Sequence, residues 1–353
     1  MGAHLKTIFS GLQQEDLDGL LISLPSNVTY LTVYPSRDSY LLISKKECVY
    51  FTDSRYLEEA RSYLAKNITL KEINGSVFKL IAENCLRIGL KRVGFEERHL
   101  PFAEYKKIKE ELQGKAKLMP THGLIEQLRQ IKAPEEIEKI KKAIHITAQA
   151  LEYIQDYLAP GRKEIEVVGE LERFIRFHGA SNSAFDIIVA SGPNSSFPHH
   201  IPGTRKLQNN EPVLIDIGID YQDYKSDLTR VFFLGKISSL VRTVYDIILE
   251  AQDRAIKGVR PAVQIKKIDA LARQFITRKG YGKFFGHSLG HGVGLDVHEE
   301  PPISPYNQNT LKPGMLFTIE PAIYLPGKFG IRTEDMVLVT QKGCVNLSGS
   351  VNK

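Results

Sequence analysis

Apolar and polar positions alternate in two ways along the 353-residue chain, and the change between them divides the chain. In the first part, amphipathic stretches with helical spacing lie at 5–17 and 54–67, where Ser54 is a candidate N-cap. Short apolar runs that predict buried strands lie at 18–25, 39–44, 48–53, 68–73 and 92–97. This alternation predicts an α/β domain at residues 1–125, and we find no glycine-rich phosphate-binding motif in it.

The pattern changes after residue 125. Amphipathic helices are predicted at 134–158, with Pro134 in the first turn, and at 164–179, where Gly179 ends the helix. Strand-like segments rich in β-branched residues follow, interrupted by two helical stretches between Ser238 and Lys279. We therefore predict an α+β domain at residues 126–353.

Four carboxylates interrupt the apolar segments of this second domain: Asp216, Asp227, Glu320 and Glu334. Asp216 and Asp227 are eleven positions apart, so one straight strand would place them on opposite faces. The turn sequence YQDYK between them predicts a hairpin, which can bring both to one side. Burying an unpaired carboxylate is costly unless it is paired or bound to metal. Taken singly, each also fits a turn cap or a solvent-facing strand position.

Three of the ten histidines, His287, His291 and His298, lie in the glycine-rich stretch GHSLGHGVGLDVHEEPP. Alone, His291 also fits a loop or core histidine with a structural role. With the four carboxylates, however, one imidazole completes an oxygen-rich donor set that suits Mn²⁺, Co²⁺, Fe²⁺ or Zn²⁺. Around two divalent ions, the four negative charges would nearly balance.

Composition and charge restrict the other functional classes. The net charge of +6 is modest, and the basic residues are mixed with glutamates, so we expect no nucleic-acid partner. No apolar run of about 18 residues predicts a membrane span. The three cysteines are far apart and form no CxxC zinc motif or disulfide framework. The first residues also lack the pattern of a secretory signal. Because the cysteine pattern fits a reducing compartment best, we expect a cytoplasmic protein.

The five candidate ligands occur in the phrases IDIG, SDLTR, GHGVGLDVHE, IEP and IRTED. This set resembles the pita-bread dinuclear metallopeptidases, and within them the proline-specific aminopeptidase P (Xaa-Pro aminopeptidase) and prolidase. NVTYLT (27–32) and FTDSRYLEEA (51–60) are similar to phrases of their N-terminal domain, so the resemblance covers the whole chain. It implies a pita-bread catalytic domain after a smaller, creatinase-like α/β domain.

The resemblance also implies a metal centre. It makes Asp216, Asp227, His291, Glu320 and Glu334 the ligands of two divalent ions, with Mn²⁺ expected and Co²⁺, Fe²⁺ or Zn²⁺ as alternatives. Asp227 and Glu334 would bridge the two ions. A hydroxide between the ions would be the nucleophile, and Glu320 would handle its proton.

Four further residues have roles by the same resemblance. His199 would act catalytically on the substrate side, although His200 stands where the family usually has glycine. His298 would bind the scissile carbonyl and contribute to catalysis, and His287 would line the proline pocket. Arg332 would orient a metal-binding carboxylate. For His287, a structural role is the main alternative.

From this resemblance we expect a Xaa-Pro aminopeptidase that releases the residue preceding a proline in the second position of a peptide. The alternative is prolidase, a Xaa-Pro dipeptidase that uses the same catalytic residues. A third possibility is a member of the fold without peptidase activity, although all five ligand positions are intact here. The resemblance further implies a homodimer.

Overall fold

The computed structural model describes the backbone of residues 2–353 and the side chains from residue 7 onward. Its internal contacts form two compact units, one ending at Arg129 and the other beginning at Gln130. Among the described residues, we find no helix with the length and apolar character needed to cross a bilayer.

In the described part of the first unit, six helices accompany a six-stranded mixed sheet. Its elements, in chain order, are α1 (Gly2–Gln14), β1 (Gly19–Ile22), α2 (Pro25–Thr32), β2 (Tyr40–Ser44), β3 (Cys48–Thr52), α3 (Leu57–Tyr63), β4 (Ile68–Glu72), α4 (Val77–Ile88), β5 (Arg92–Glu96), α5 (Phe102–Glu111), β6 (Lys117–Thr121) and α6 (Leu124–Arg129). The strand order is β4-β3-β2-β1-β5-β6. Every residue of β1 and β3 is buried, as their unbroken apolar runs predict.

One predicted helix start in this unit is wrong. Helix α3 begins at Leu57 with Tyr56 at the N-cap, so Ser54 does not cap it. Instead, the Asp53 carboxylate accepts hydrogen bonds from the backbone N–H and the Nε–H of Arg55. An aspartate that bonds to the backbone two residues ahead forms a turn of its own, and this turn delays the helix.

The second unit packs four long helices against short sheets. Its elements are α7 (Pro134–Tyr157), α8 (Glu164–Phe177), β7 (Asn182–Ser183), β8 (Ile188–Ser191), β9 (Glu211–Ile217), β10 (Ile219–Tyr221), β11 (Tyr224–Lys225), β12 (Leu228–Leu234), α9 (Ser239–Gly258), α10 (Ile265–Arg278), β13 (Gly290–Gly292), β14 (Glu299–Ile303), β15 (Leu316–Ile319), β16 (Ala322–Leu325), β17 (Phe329–Arg332), β18 (Asp335–Val339) and β19 (Cys344–Asn346). Its five-stranded sheet has the order β14-β13-β15-β18-β19, and its two three-stranded sheets have the orders β12-β9-β8 and β11-β10-β7.

The predicted hairpin between the two aspartates is present. Strands β10 and β11 pair across Gln222 and Asp223, whose φ angles of 52° and 70° suit a tight primed turn. Beyond this hairpin, β9 and β12 continue antiparallel, with Asp216 opposite Thr229. Asp227 lies in the connection between β11 and β12, so the hairpin returns it toward Asp216 despite their odd separation along the chain.

The other two carboxylates lie just outside the paired strands β15 and β18: Glu320 follows the last residue of β15, and Glu334 precedes the first residue of β18. The last pair of this antiparallel ladder is Ile319 with Asp335. Continuing the same register by one residue would place Glu320 opposite Glu334. Two like charges directly opposite each other destabilise a sheet, which gives a reason for the ladder to stop there.

Candidate metal centre

The second unit contains a cleft of about 1090 Å³. All nine residues selected from the sequence line it: Asp216, Asp227, His291, Glu320, Glu334, His199, His287, His298 and Arg332. They come from separate strands and loops spread over more than a hundred residues of chain. The fold therefore brings the whole predicted set to one place.

At the floor of the cleft, three side chains are close enough to share one ion. One ligand atom each from Asp227, His291 and Glu334 lies within 4.8 Å of the other two. His291 Nε2 also lies 3.3 Å from Glu320 Oε1 and 3.6 Å from Asp227 Oδ2. The imidazole of His291 and the four carboxylates together give the donors of a hard divalent-cation site.

Glycines let strand β13 carry His291 into this crowded place. A Cβ at Gly290 would overlap the carbonyl of Thr318, and one at Gly292 would overlap the carbonyl of Glu300. The backbone N–H of His291 donates to Thr318 Oγ1 at 3.1 Å. The glycine-rich sequence thus allows a close approach of backbones that residues with side chains would prevent.

Asp216 is held from one side only. Its Oδ2 accepts a 2.6 Å bond from the buried guanidinium of Arg332, whereas Oδ1 is buried and has no hydrogen-bond partner. A buried carboxylate oxygen without a partner is costly unless something positive binds it. This orphaned oxygen and the surrounding donors fit a bound divalent cation.

Comparisons with known proteins agree with this chemistry. Residues 138–341 match the model of metallopeptidase family M24, and residues 5–131 match the creatinase/prolidase N-terminal domain. The chain belongs to metallopeptidase family M24. Since the M24 model spans more than half of the chain, the pita-bread fold expected from the sequence is confirmed.

Among M24 relatives, a Xaa-Pro dipeptidase from Pyrococcus horikoshii is 34% identical over 350 residues, which are 99% of this chain and 97% of the relative. The solved structure of a Xaa-Pro dipeptidase from Bacillus anthracis has a TM-score of 0.95 and 37% identity, covering 99% of this chain and 98% of that one. A solved X-Pro aminopeptidase from Thermotoga maritima has a TM-score of 0.87 and 36% identity, covering 94% and 96%. These relatives make the chain a proline-specific M24 peptidase.

The carboxylates of the M24 site repel one another in the absence of a cation. Burial, then the charges of Glu334 and Asp216, raises the pKa of Asp227 well above its usual value. Burial, then Glu320 and Asp216, does the same to the pKa of Glu334. Burial also raises the pKa of Glu320 to about 8, although Arg332 opposes it. A cluster that resists ionisation through burial and mutual repulsion is stabilised when divalent cations bind it.

Burial lowers the pKa values of three histidines of the cleft, His287, His291 and His298, which favours their neutral forms. Burial, then the neighbouring His298, lowers the pKa of His291 to about 3. Burial likewise lowers the pKa of His287 to about 4 and shifts that of His298 downward. His291 and His298 stack edge to face with ring centroids 4.1 Å apart. A neutral imidazole can bind a metal through one ring nitrogen and donate the N–H of the other. An imidazolium has no free ring nitrogen and could not bind a metal.

Adjacent histidines His199 and His200 have different surroundings. His200 Nε2 lies 2.8 Å from a carboxylate oxygen of the buried Glu164, which also accepts bonds from Ser191 and Asn194. His199 is exposed and lines the cleft. His200 also lines the cleft, but its ring is bonded to Glu164, whereas His199 is exposed.

Three further residues contact the predicted ones and were not identified from the sequence. Tyr324 accepts a 2.5 Å bond from Arg332, and its hydroxyl lies 3.3 Å from His287 Nε2. Thr229 donates a 2.8 Å bond to Glu334. Thr318 lies 3.3 Å from Glu320 Oε1. Thr229 belongs to the phrase SDLTR, whereas Thr318 lies two residues before Glu320 and Tyr324 four residues after it. Only the fold reveals that these three hydroxyls turn toward the site.

Proposed function

We propose that this protein is a Xaa-Pro dipeptidase that hydrolyses the bond before proline with the help of two divalent ions, Mn²⁺ being the first candidate. The observation that carries the proposal is the meeting of four carboxylates and one imidazole in one cleft of an M24 chain. Relatives similar over nearly the whole chain carry the name Xaa-Pro dipeptidase, which favours this activity over the aminopeptidase expected from the sequence.

In this proposal, Asp216, Asp227, His291, Glu320 and Glu334 hold the ions. Bound divalent ions would polarise the scissile carbonyl and make water a nucleophile at neutral pH. Glu320 accepts the proton of the attacking water and returns it to the leaving proline nitrogen. Its position beside His291, with Thr318 bonded to one carboxylate oxygen, suits this task.

The other side chains of the cleft bind and orient the substrate. His298, kept neutral by burial, donates its N–H to the carbonyl oxygen as negative charge develops there. His199 approaches the substrate from the exposed side. His287 is held between Tyr324 and the backbone of Ser288, and it forms a wall for the proline ring. Since proline nitrogen has no N–H, that wall does not need to offer it an acceptor.

A second candidate, the Xaa-Pro aminopeptidase, is favoured by the charges of the cleft. A dipeptide presents a free carboxylate on its proline, which a fixed cation would bind well. Among the described residues that line the cleft, Arg332 is the only arginine or lysine, and it is already paired with Asp216. A longer peptide has no charge at that point and would not need such a cation.

The two activities separate in one assay. The purified full-length protein with added Mn²⁺ is offered Xaa-Pro dipeptides and Xaa-Pro-Xaa tripeptides that share their first two residues, and release of the first residue is followed by chromatography. A dipeptidase cleaves the dipeptide and leaves the tripeptide intact. Turnover of the tripeptide at comparable kcat/KM would replace the dipeptidase with the aminopeptidase. An Asp227→Asn variant serves as the metal-site control and should cleave neither.

We also propose that the chain forms a homodimer and acts in the cytoplasm. Its three cysteines are free, which suits a reducing compartment. Light scattering after size-exclusion chromatography tests the dimer, because a monomer of 39.8 kDa and its dimer differ twofold in mass.

A further inference from the structure

Gln252 is a fully buried polar side chain of helix α9 that lies outside the cleft. Its Nε2 donates two hydrogen bonds, one of 2.9 Å to the carbonyl of Ile319 and one of 3.1 Å to the carbonyl of Thr333. Ile319 directly precedes Glu320, and Thr333 directly precedes Glu334. One amide group therefore connects the backbone positions from which two proposed ligands project.

The orientation of this amide is determined by its other partners. Thr333 Oγ1 donates to Gln252 Oε1 at 3.3 Å, and Lys353 Nζ donates to the same oxygen at 2.6 Å. Rotating the amide by half a turn would set Oε1 against two carbonyl oxygens and lose these bonds. The two amide hydrogens must therefore face the two carbonyls.

The sheet explains why an outside donor is needed. The β15–β18 ladder stops at the pair Ile319–Asp335, one residue before the two glutamates would lie opposite each other. At this end of the ladder, the carbonyls of Ile319 and Thr333 accept hydrogen bonds from the Gln252 side chain, and buried carbonyls need such partners. The Gln252 amide donates both of these hydrogen bonds. It therefore holds the end of β15 next to the start of β18, where the carboxylates of Glu320 and Glu334 repel each other.

We infer that Gln252 is a positioning residue of the metal centre, which sets the separation of Glu320 and Glu334 without contacting metal or substrate. This inference rests on the proposed metal centre but not on which proline peptide is cleaved. Residues that orient ligands from behind typically change metal affinity by roughly ten- to hundredfold when they are replaced.

The test compares two variants of Gln252 with a matched core variant of the same helix. Gln252→Glu keeps the shape but replaces the donor nitrogen with an oxygen, and Gln252→Met removes both polar atoms without adding charge. Val244→Ala alters a buried apolar position eight residues earlier, about 12 Å along the helix. Metal-stripped full-length proteins are titrated with Mn²⁺ by calorimetry, and their Tm without metal is measured in parallel.

If Gln252 positions the ligands, both Gln252 variants bind Mn²⁺ at least tenfold more weakly than wild type. Val244→Ala lowers the metal-free Tm but leaves the affinity unchanged. In activity assays at saturating metal, the Gln252 variants lose kcat with little change in KM, because substrate contacts are intact.

Two outcomes would overturn the inference, and they differ. If the Gln252 variants lower the Tm as Val244→Ala does but bind Mn²⁺ within twofold of wild type, Gln252 is only part of the core. If wild type itself takes up no Mn²⁺, Co²⁺ or Zn²⁺, the metal centre is refuted and the inference with it. If Gln252→Glu does not fold, Gln252→Met alone distinguishes a positioning role, with weaker Mn²⁺ binding, from a purely structural role, with a lower Tm and unchanged Mn²⁺ affinity.

Discussion

At the scale of single residues, Arg332 connects several residues of the site. Its buried guanidinium donates to Asp216, to Thr229 Oγ1 and to the Tyr324 hydroxyl. Thr229 in turn bonds to Glu334, so one side chain orients two proposed ligands. Only the planar fork of arginine reaches three acceptors in different directions.

Arg332→Lys keeps the charge but removes this fork. We expect Mn²⁺ affinity to fall roughly 10–100-fold, since Asp216 and Glu334 lose their fixed orientation. Calorimetric titration measures the change. The control is Arg254→Lys, at a half-exposed arginine paired with Glu250 on the surface, which should bind Mn²⁺ as wild type does. Equal Mn²⁺ affinities of the two variants would show that Arg332 does not orient the metal ligands.

The histidine pair at 199 and 200 gives a second residue-scale prediction. His199→Ala should lower kcat/KM by about two orders of magnitude with unchanged stability, because the exposed ring only meets substrate. His200→Ala leaves the buried Glu164 with one partner fewer, so we expect a loss of about 1.5–3 kcal/mol in the free energy of unfolding. Urea unfolding and steady-state kinetics of both variants test this. The opposite pattern would exchange their assignments.

At the scale of elements, strand β13 depends on how closely its backbone approaches β15. Gly290→Ala would force a Cβ into the carbonyl of Thr318. We expect a loss of at least about 1–3 kcal/mol in the free energy of unfolding, together with weaker Mn²⁺ binding, because the strand that carries His291 must shift.

The matched control is Gly169→Ala in helix α8, where nothing lies within 4 Å of an added Cβ. A helical alanine is up to about 1 kcal/mol better than glycine, so this variant should be more stable than wild type. Both are measured by urea unfolding. A Gly290→Ala protein as stable as wild type would contradict the packing argument.

At the scale of the whole molecule, the buried carboxylates of the metal centre repel one another and so destabilise the metal-free protein. Asp227, Glu320 and Glu334 all have raised pKa values, with burial as the largest cause. Stripping the metal should therefore lower the Tm. Free Mn²⁺ at a hundredfold excess over its Kd stabilises the folded state by about 2.7 kcal/mol, which raises the Tm by about 5–10 °C for a unit of this size.

Differential scanning calorimetry over a range of Mn²⁺ concentrations measures this shift. Asp227→Asn removes one repelling charge, so its metal-free Tm should equal or exceed that of wild type, while its response to Mn²⁺ shrinks. A wild-type Tm that does not depend on Mn²⁺, Co²⁺ or Zn²⁺ would contradict a metal centre.

Much of the fold followed from local pattern. The unbroken apolar runs of β1 and β3 and the Pro134 start of α7 are where periodicity and proline placed them. Helix α2 was not predicted, because its eight residues, PSNVTYLT, are too short and too polar for a helical stripe. The prediction that Ser54 caps α3 is wrong, since the neighbouring Asp53 bonds to the backbone N–H of Arg55.

By itself, the sequence determined which side chains could form the site. Carboxylates in apolar segments and one histidine between glycines are costly without a cation, and that cost is visible from composition and order alone. Only the tertiary structure decided how the centre is supported. Gln252, Tyr324 and Glu164 bond to Ile319, Thr333, His287, Ser191 and His200, which are 27 to 81 positions away from them. No local pattern encodes such bonds, because they exist only once separate strands and helices have packed.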